Sequence, residues 1–403
     1  MTGSAAASAA RKERDPAQPA VRRVGSERRL GRIDVHDDLA GGGEAWAELE
    51  AASPGSIYQT RRFLLPWLAT QGAARKITPM IVVAHDAAGI PVALLPFGVR
   101  RSGPVTIAEF LGASDSNSNA GLFRPGCELS ADDLTSLLRA AALKAGAPPD
   151  LFVLENQPER IAGRANPLDI FPHQSSASFS HSGSLNPDPA AFLAERLSKD
   201  TAKKLRKKRK RLEAMGKLTY RTANSAGDVA RILDAFFLLK LERFRQKHIA
   251  SDFETPQARS YLERACCPRP DRPAAIDLHA LFLGERVIAI FGGAMHQRHL
   301  HLMFNAFDMD EPIAKSSPGE LLLQNVLEDA CRCGAAGFDL GIGEARYKNT
   351  WCEHAEPMFD SVLAITRRGR AWSVVETLRR RAKRWIKQSR WVWPLAQVLM
   401  RRG

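Results

Sequence analysis

The sequence predicts an α+β fold built from two similar units, each a mixed, mostly antiparallel sheet flanked by helices. Three observations carry this expectation. The order strand, strand, strand, loop, helix, strand occurs over about residues 79–155 and again over about 276–341. The first two strands of each copy are joined by a short turn, Asp86–Gly89 in one and Gly284–Glu285 in the other, as antiparallel hairpins are. Helical periodicity separates the third strand from the fourth, and helices flanking mixed antiparallel strands mark the α+β class. The copies share this order and barely any residues, so the duplication is one of structure.

Along the chain, residues 1–32 are rich in Ala, Ser, Arg and Pro and lack apolar periodicity, so they read as a disordered basic tail. The first unit is expected over 33–157. Gly43–Leu49 and Ser56–Thr70 read as helical, the latter with Phe63, Leu64, Trp67 and Leu68 on one stripe. Pro79–His85 and Val92–Val99 form a hairpin, and Val105–Leu111 a third strand. Polar Gly112–Asn119 is long enough to be more than a turn. Ser130 can N-cap a helix reaching Lys144, and Asp150–Glu155 is a buried strand. Residues 158–190, rich in Pro, Ser, Asn and His, read as a linker. The second unit is expected over 191–366. Its helices fall at Ala191–Met215, Ala226–His248 and Thr255–Ala265, and its strands at Ile276–Leu283, Val287–Met295 and His299–Phe307. A helix from Ser317 to Cys333 is ended by Gly334, and short strands follow from Phe338 and within Pro357–Thr366. Residues 367–403 read as a basic, Trp-rich amphipathic tail.

Composition excludes several classes. With 403 residues, 44% hydrophobic and 25% charged, the chain is neither collagen-like nor wholly disordered. No apolar run approaches the ~18–20 residues needed to span a membrane, and the N-terminus lacks the apolar core of a secretory signal. Six cysteines without CxxC spacing argue against a disulfide framework and a zinc site, so a reducing, cytoplasmic setting and no metal are expected. The net charge of +14 is localised. Arg11–Arg32, Lys199–Arg211 and Arg367–Arg402 hold 29 of the 58 Lys and Arg but 5 of the 44 acids, leaving the remaining chain acidic. A polyanion partner is to be sought at those segments.

The most informative stretch is Lys315–Lys348, KSSPGELLLQNVLEDACRCGAAGFDLGIGEARYK. Pro318 sits near the first helical position, where its missing N–H costs nothing. Ser317 or Ser316 can cap, and Gly319 has no side chain to block an approaching ligand. The free N–H groups of Ser317–Glu320, with the positive end of the helix dipole, form an anion site that a pyrophosphate can fill, although any well-capped helix offers the same features. Ser317-Pro318-Gly319, Leu321-Leu322, Ala330, Phe338-Asp339, Gly341, Gly343-Glu344, Tyr347-Lys348 and Trp351 together resemble the pattern of the CelD-like group of GNAT-superfamily acyltransferases. The basic helix Leu197–Leu212 resembles that group's arginine-rich helix, and Phe236–Arg245 with Phe253 its F…LK..RF…F segment. Tyr58–Trp67, Leu94-Leu95-Pro96 and Ser114–Asn117 are similar more weakly, so the resemblance spans about residues 45–366. It implies tandem GNAT units, as in Fem-type peptidyl transferases, with the second active and the first shaping a groove. It also implies an acyl donor held as a thioester, usually acyl-CoA. The short KSSPG loop departs from the glycine-rich pyrophosphate loop of many such enzymes, so an acyl-carrier protein or an aminoacyl-tRNA also suits it.

Acyl transfer needs a donor group for the oxyanion, a base for the acceptor and an acid for the leaving thiolate. Strand His299–Phe307 can supply the first. Glu344 is the first candidate base and Asp339 the second; Tyr347 is the candidate acid or anchor. Ser316, Ser317, Gly319 and Glu320 would hold the donor, and Lys348, Arg206 and Arg209 an anionic group of the substrate. Structural readings stand beside these: Asp339 as a strand-end cap, Tyr347 and Trp351 as packing four residues apart, and the basic helix as a solvated surface. Gly341-Ile342-Gly343 lacks a third glycine at Arg346, so it is not a dinucleotide fingerprint. His296, His299 and His301 read as a solvent-facing hairpin, Cys331 and Cys333 as small core residues, and no GxSxG elbow occurs.

The expected function is a cytoplasmic acyltransferase moving an acyl group from a CoA-type thioester to an amine or hydroxyl, on a small molecule or a glycan precursor. An aminoacyl-tRNA-dependent transferase and a non-catalytic partner of a polysaccharide synthase are the alternatives. No aromatic interleaves the basic helix, so no specific nucleic acid is expected. Arg370–Arg402, with Trp372, Trp385, Trp391 and Trp393, reads either as a helix lying on the anionic inner membrane surface or as one packed on the acidic body.

Overall fold

The computed structural model of the chain describes residues 30–53, 55–161, 163–247, 252–268, 273–343 and 345–388. The first unit comprises β1 (Leu30–His36), α1 (Gly43–Ala52), α2 (Arg61–Trp67), β2 (Thr78–Asp86), β3 (Pro91–Ser102), β4 (Val105–Phe110), β5 (Leu122–Phe123), α3 (Ala131–Lys144) and β6 (Leu151–Pro158). β2 and β3 are almost continuously apolar because both their faces are covered. Ile81, Val83 and Leu94 join Trp46, Phe63 and Trp67 in one core. Met80, Val82 and Leu95 join Leu134, Leu137 and Leu138 of α3 in another. Ser130 caps α3 as the sequence predicts, in a box completed by Asp133.

The small hairpin β7 (Arg160–Ile161) and β8 (Arg164–Ala165) leads into β9 (His173–Ser184). Then follow α4 (Pro189–Arg196), α5 (Lys199–Glu213), β10 (Leu218–Thr222), α6 (Ala226–Lys247), α7 (Pro256–Cys266), β11 (Asp277–Leu283), β12 (Arg286–His296) and β13 (His299–Phe307). The chain ends with α8 (Glu311–Ala314), α9 (Pro318–Arg332), β14 (Gly337–Ile342), α10 (Lys348–Trp351), β15 (His354–Ala364) and α11 (Arg367–Gln388).

These strands join the two units in one sheet, ordered β1-β2-β3-β4-β6-β15-β9-β14-β13-β12-β11-β10, with β5 on β3. Each unit has one parallel step, β4 to β6 and β13 to β14. The units also exchange a strand. β15, from the end of the second unit, pairs with β6, while β9, which follows the first unit, pairs with β14.

Three expectations change, and a fourth segment takes one of its two expected forms. The segment 158–190 is no linker, because it contributes β9 at the centre of the sheet. Its run of serines, with one large apolar residue, hid a strand that lies hydrogen-bonded between β14 and β15. The predicted helix Ala191–Met215 is two, because Ser198 caps a new start by accepting from the Thr201 N–H. β1 begins at Leu30, inside the expected tail, whose residues 1–29 lie outside the described residues. The C-terminal segment is helical over Arg367–Gln388 and packs on the sheet through Trp372 against Val105, Ile107, Leu151 and Val153. Trp391 and Trp393 lie outside the described residues.

Candidate active site

β13 and β14 run side by side for only three residues, from His299 against Gly337 to His301 against Asp339. Beyond that rung they part, because Gly341 turns β14 away at φ +72° and the chain continues to Gly343 at φ +95°. The gap is a cleft of about 210 Å³, lined among others by Leu302, Asn305, Leu340, Tyr347 and Lys348, with Lys240 of α6. Lys240 donates to the Asn305 carbonyl (2.9 Å) and stands over the rings of Phe236, Phe244 and Phe253. Burial, then Arg243, lowers its ammonium to about 8. The Tyr347 hydroxyl accepts from Asn305 Nδ2 (3.2 Å), and burial raises its pKa, so it stays protonated at neutral pH.

β13 runs on from the cleft to Phe307, against which the start of α9 packs at Gly319. Ser317 takes a left-handed conformation (φ 48°, ψ 62°) and makes no side-chain cap, so the first N–H groups of α9 have no side chain of their own cap on them. Ser316 is fully buried and its hydroxyl has no hydrogen-bond partner among the described residues. Gly319 abuts Phe307, and the Arg243 guanidinium lies over that ring at 4.6 Å. α5 lies alongside: Lys208 pairs with Glu320 (2.8 Å) and Arg209 donates to Asn325 (2.8 Å), so the basic helix faces the first turns of α9. The N–H groups of Ser317 and Glu320 already donate to the carbonyls of Ala314 and Ser317 and Pro318 has none, so of the expected anion site the Gly319 N–H and the neighbouring cations are what this turn can offer a phosphate.

The first unit repeats the parting but closes it. β4 and β6 pair only at Ile107 with Leu151 and Ala108 with Phe152. Beyond, Asn119 fills the gap, its amide donating to the carbonyls of Ala113 (3.1 Å) and Glu155 (3.0 Å) and its N–H to Asn156. The helix after this gap, α3, carries its own Ser130–Asp133 cap and places acids in its first turn. That start is already satisfied and repels anions.

On the face toward the first unit, His301 and Asp339 are both buried. His301 Nδ1 lies 3.9 Å from Asp339 Oδ2. Asp339 Oδ1 accepts from the Gly341 N–H (2.6 Å) and the Ser180 hydroxyl (3.2 Å). Burial pushes this carboxyl up, but His301, Gly341 and Ser180 outweigh it and hold it below the usual range. Neither His301 nitrogen has a hydrogen-bond partner among the described residues. Leaving a buried polar group unpaired costs about 1–3 kcal/mol. Tyr58 meets the His301 ring edge-on and accepts from Asn117, whose loop is fixed where Trp67 and Arg75 hold Asp115.

Of the candidate residues, Asp339, Tyr347, Lys348, Ser316, Ser317, Gly319 and Glu320 lie around the cleft and the start of α9. Lys348 is buried and donates to the carbonyls of Gly341 (2.9 Å) and Ile342 (3.0 Å). Arg209 is tied to Asn325, and Arg206 is exposed on α5. Glu344 lies outside the described residues. The solvent-facing reading of the histidine hairpin does not hold for His301, which β14 and the first unit bury. Lys240 and Arg243 were visible in the F…LK..RF motif but had no assigned place. Only the folding of α6 across β13 brings them to the cleft.

The fold and cleft define a class. Residues 199–349 match the family model of the acetyltransferase (GNAT) domain, a span that takes in α5, α6, β13, α9 and β14. Among solved structures the chain is similar to FemX at 10% identity and a TM-score of 0.55, covering 83% of this chain and 98% of that one. It is also similar to a tandem GNAT protein from the clavulanic acid biosynthesis pathway (10%, TM-score 0.47, 83% and 98%). A third is Saccharomyces cerevisiae N-myristoyltransferase with bound myristoyl-CoA (9%, TM-score 0.42, 83% and 79%). No curated protein matches. Residues 199–349 thus resemble the acetyltransferase (GNAT) domain, and the chain as a whole shares the fold of FemX.

Proposed function

We propose that the chain is an acyltransferase that takes its acyl group from a CoA-type thioester bound in the second unit. The supporting observation is the parted β13–β14 pair with an uncapped helix start beside it, against a first unit in which the same gap and helix start are closed. The donor's pyrophosphate would meet the Gly319 N–H and the Ser316 hydroxyl, with Lys208 and Arg243 nearby. The thioester would lie between Leu302 and Leu340, where the edge of β13 can stabilise the oxyanion. Tyr347, kept protonated, can supply the proton the leaving sulfur needs. Lys348 supports the site by fastening the end of β14. The acceptor would be an amine or hydroxyl, on a sugar or polysaccharide precursor as the CelD-like resemblance suggests. Thermal shift against acetyl-CoA, free CoA and tRNA tests this reading. A CoA ligand at 100 times its dissociation constant should stabilise by about 2.7 kcal/mol. Stabilisation by tRNA alone would replace it with the aminoacyl-tRNA reading.

We propose further that α11 rests on an anionic lipid surface. Its inner face is packed, yet Val374 (58% exposed), Leu378 (58%) and Trp385 (63%) form an outer stripe beside Val375. Exposed Arg370, Arg379, Arg381 and Lys383 border that stripe, the pattern of an interfacial helix. No helix among the described residues is long and apolar enough to cross a membrane. Leu378→Glu with Trp385→Glu should abolish binding to phosphatidylglycerol vesicles at low salt and leave the melting temperature unchanged. Equal binding by wild type and variant would end this reading.

A further inference from the structure

We propose that His301 accepts the proton of the attacking amine or hydroxyl, and that Asp339 positions it from the neighbouring strand. This deepens the acyl-transfer reading and rests on it. The parallel register sets His301 against Asp339 at the last paired rung, and the next residues, Leu302 and Leu340, are walls of the cleft. Successive strand residues face opposite sides of the sheet, so an acyl carbon lodged between those walls would have the imidazole on the far side, one residue along the strand.

The carboxylate is built to orient rather than to react. Oδ1 is pinned by the Gly341 N–H and the Ser180 hydroxyl, which leaves Oδ2 turned to His301 Nδ1 at 3.9 Å. A carboxylate on that side favours the proton on Nδ1 and leaves the Nε2 lone pair free. Among the described residues Nε2 has no hydrogen-bond partner, and it is out of solvent. The first unit supplies the cover, through Tyr58 against the ring and Asn117 on the Tyr58 hydroxyl. A side chain on Gly341 would run into that Asn117 amide, so the two units meet closely here. In the step itself, Nε2 takes the acceptor's proton as its nitrogen or oxygen bonds to the acyl carbon. The carbon–sulfur bond then breaks, the sulfur keeps the electron pair, and Tyr347 protonates it to the thiol. Once the product has left and water enters, the proton on Nε2 passes to solvent and Tyr347 is reprotonated from it.

The test joins a tautomer measurement to a rate. In a long-range ¹⁵N–¹H spectrum of the full chain, with His301 assigned by its loss in His301→Gln, the proton should sit on Nδ1. In Asp339→Asn that preference should be lost. With acetyl-CoA and hydroxylamine as the small acceptor, His301→Gln should lower kcat of thiol release by about 10²–10⁴. A proton on Nε2 in the wild type overturns the proposal. So does a His301→Gln rate within about twofold of wild type while Glu344→Gln falls by the full factor. If wild type releases no thiol from acetyl-CoA and yet carries the proton on Nδ1, the donor reading fails and the Asp339–His301 pair stands.

Discussion

Replacing Arg380 with Ala should destabilise the fold by about 3–5 kcal/mol at neutral pH. Arg380 is 6% exposed and reaches from α11 into the middle of the sheet. It pairs with Glu155 of β6, with Asp360 of β15 at 3.3 Å and with Glu376 of its own helix at 3.8 Å. β6 belongs to the first unit and β15 returns from the second, so one guanidinium ties the strand exchange together. Without it, three carboxylates remain in or beside the interior. The dependence on pH follows from their present shifts. Burial pushes Glu155 up, but Arg380 outweighs it and holds the group below its ordinary value. Glu155 therefore lends stability above its unfolded pKa, which is lost as pH falls through the folded one. Asp360 is raised by burial, only partly offset by the Asn156 N–H and Arg380, so it subtracts stability once ionised. In Arg380→Ala both carboxyls rise, and the deficit should be largest at pH 7.5 and shrink toward pH 5. Urea midpoints at the two pH values measure it. A deficit below about 1 kcal/mol, as for a surface ion pair, would contradict this account.

Lys348→Met should lower both stability and turnover. The ammonium is 4% exposed and serves the carbonyls of Gly341 and Ile342, just where β14 has left β13. Met can fill the volume but cannot donate. Each orphaned carbonyl costs about 1–3 kcal/mol, and the part of β14 facing the donor would loosen with it. The melting temperature should fall, and kcat with it. A raised KM for an anionic substrate with no change in melting temperature would instead return Lys348 to the substrate-holding role that its sequence motif suggested.

Much of this was legible in short stretches of sequence. The hairpins, the Ser130 cap, the basic helix anchored by Leu205 and Leu212, and α9 with its Pro318 start all depend on residues close together in the chain. What was not legible depends on partners far apart. β9 carries Ser and His where strand signals call for branched or aromatic side chains, and its partners in the sheet lie far along the chain, 159 residues where Ser180 meets Asp339. His301 looked exposed because nothing near it in sequence buries it; Tyr58 and Asn117 do so from the first unit. α11 showed its charge and tryptophans, but not that Arg380 turns inward while Trp385 turns out.

The most direct measurement is a calorimetric titration of acetyl-CoA into wild type, Ser316→Ala and Ser130→Ala. These serines precede the corresponding helices of the two units, and only the first leaves its hydroxyl unbonded. The account predicts one site per chain. Ser316→Ala should weaken binding roughly 10- to 100-fold, the worth of a hydrogen bond to a charged group, while Ser130→Ala should leave it unchanged. Two sites per chain, or an affinity that depends on Ser130 and not on Ser316, would contradict the claim that the donor binds in the second unit's cleft.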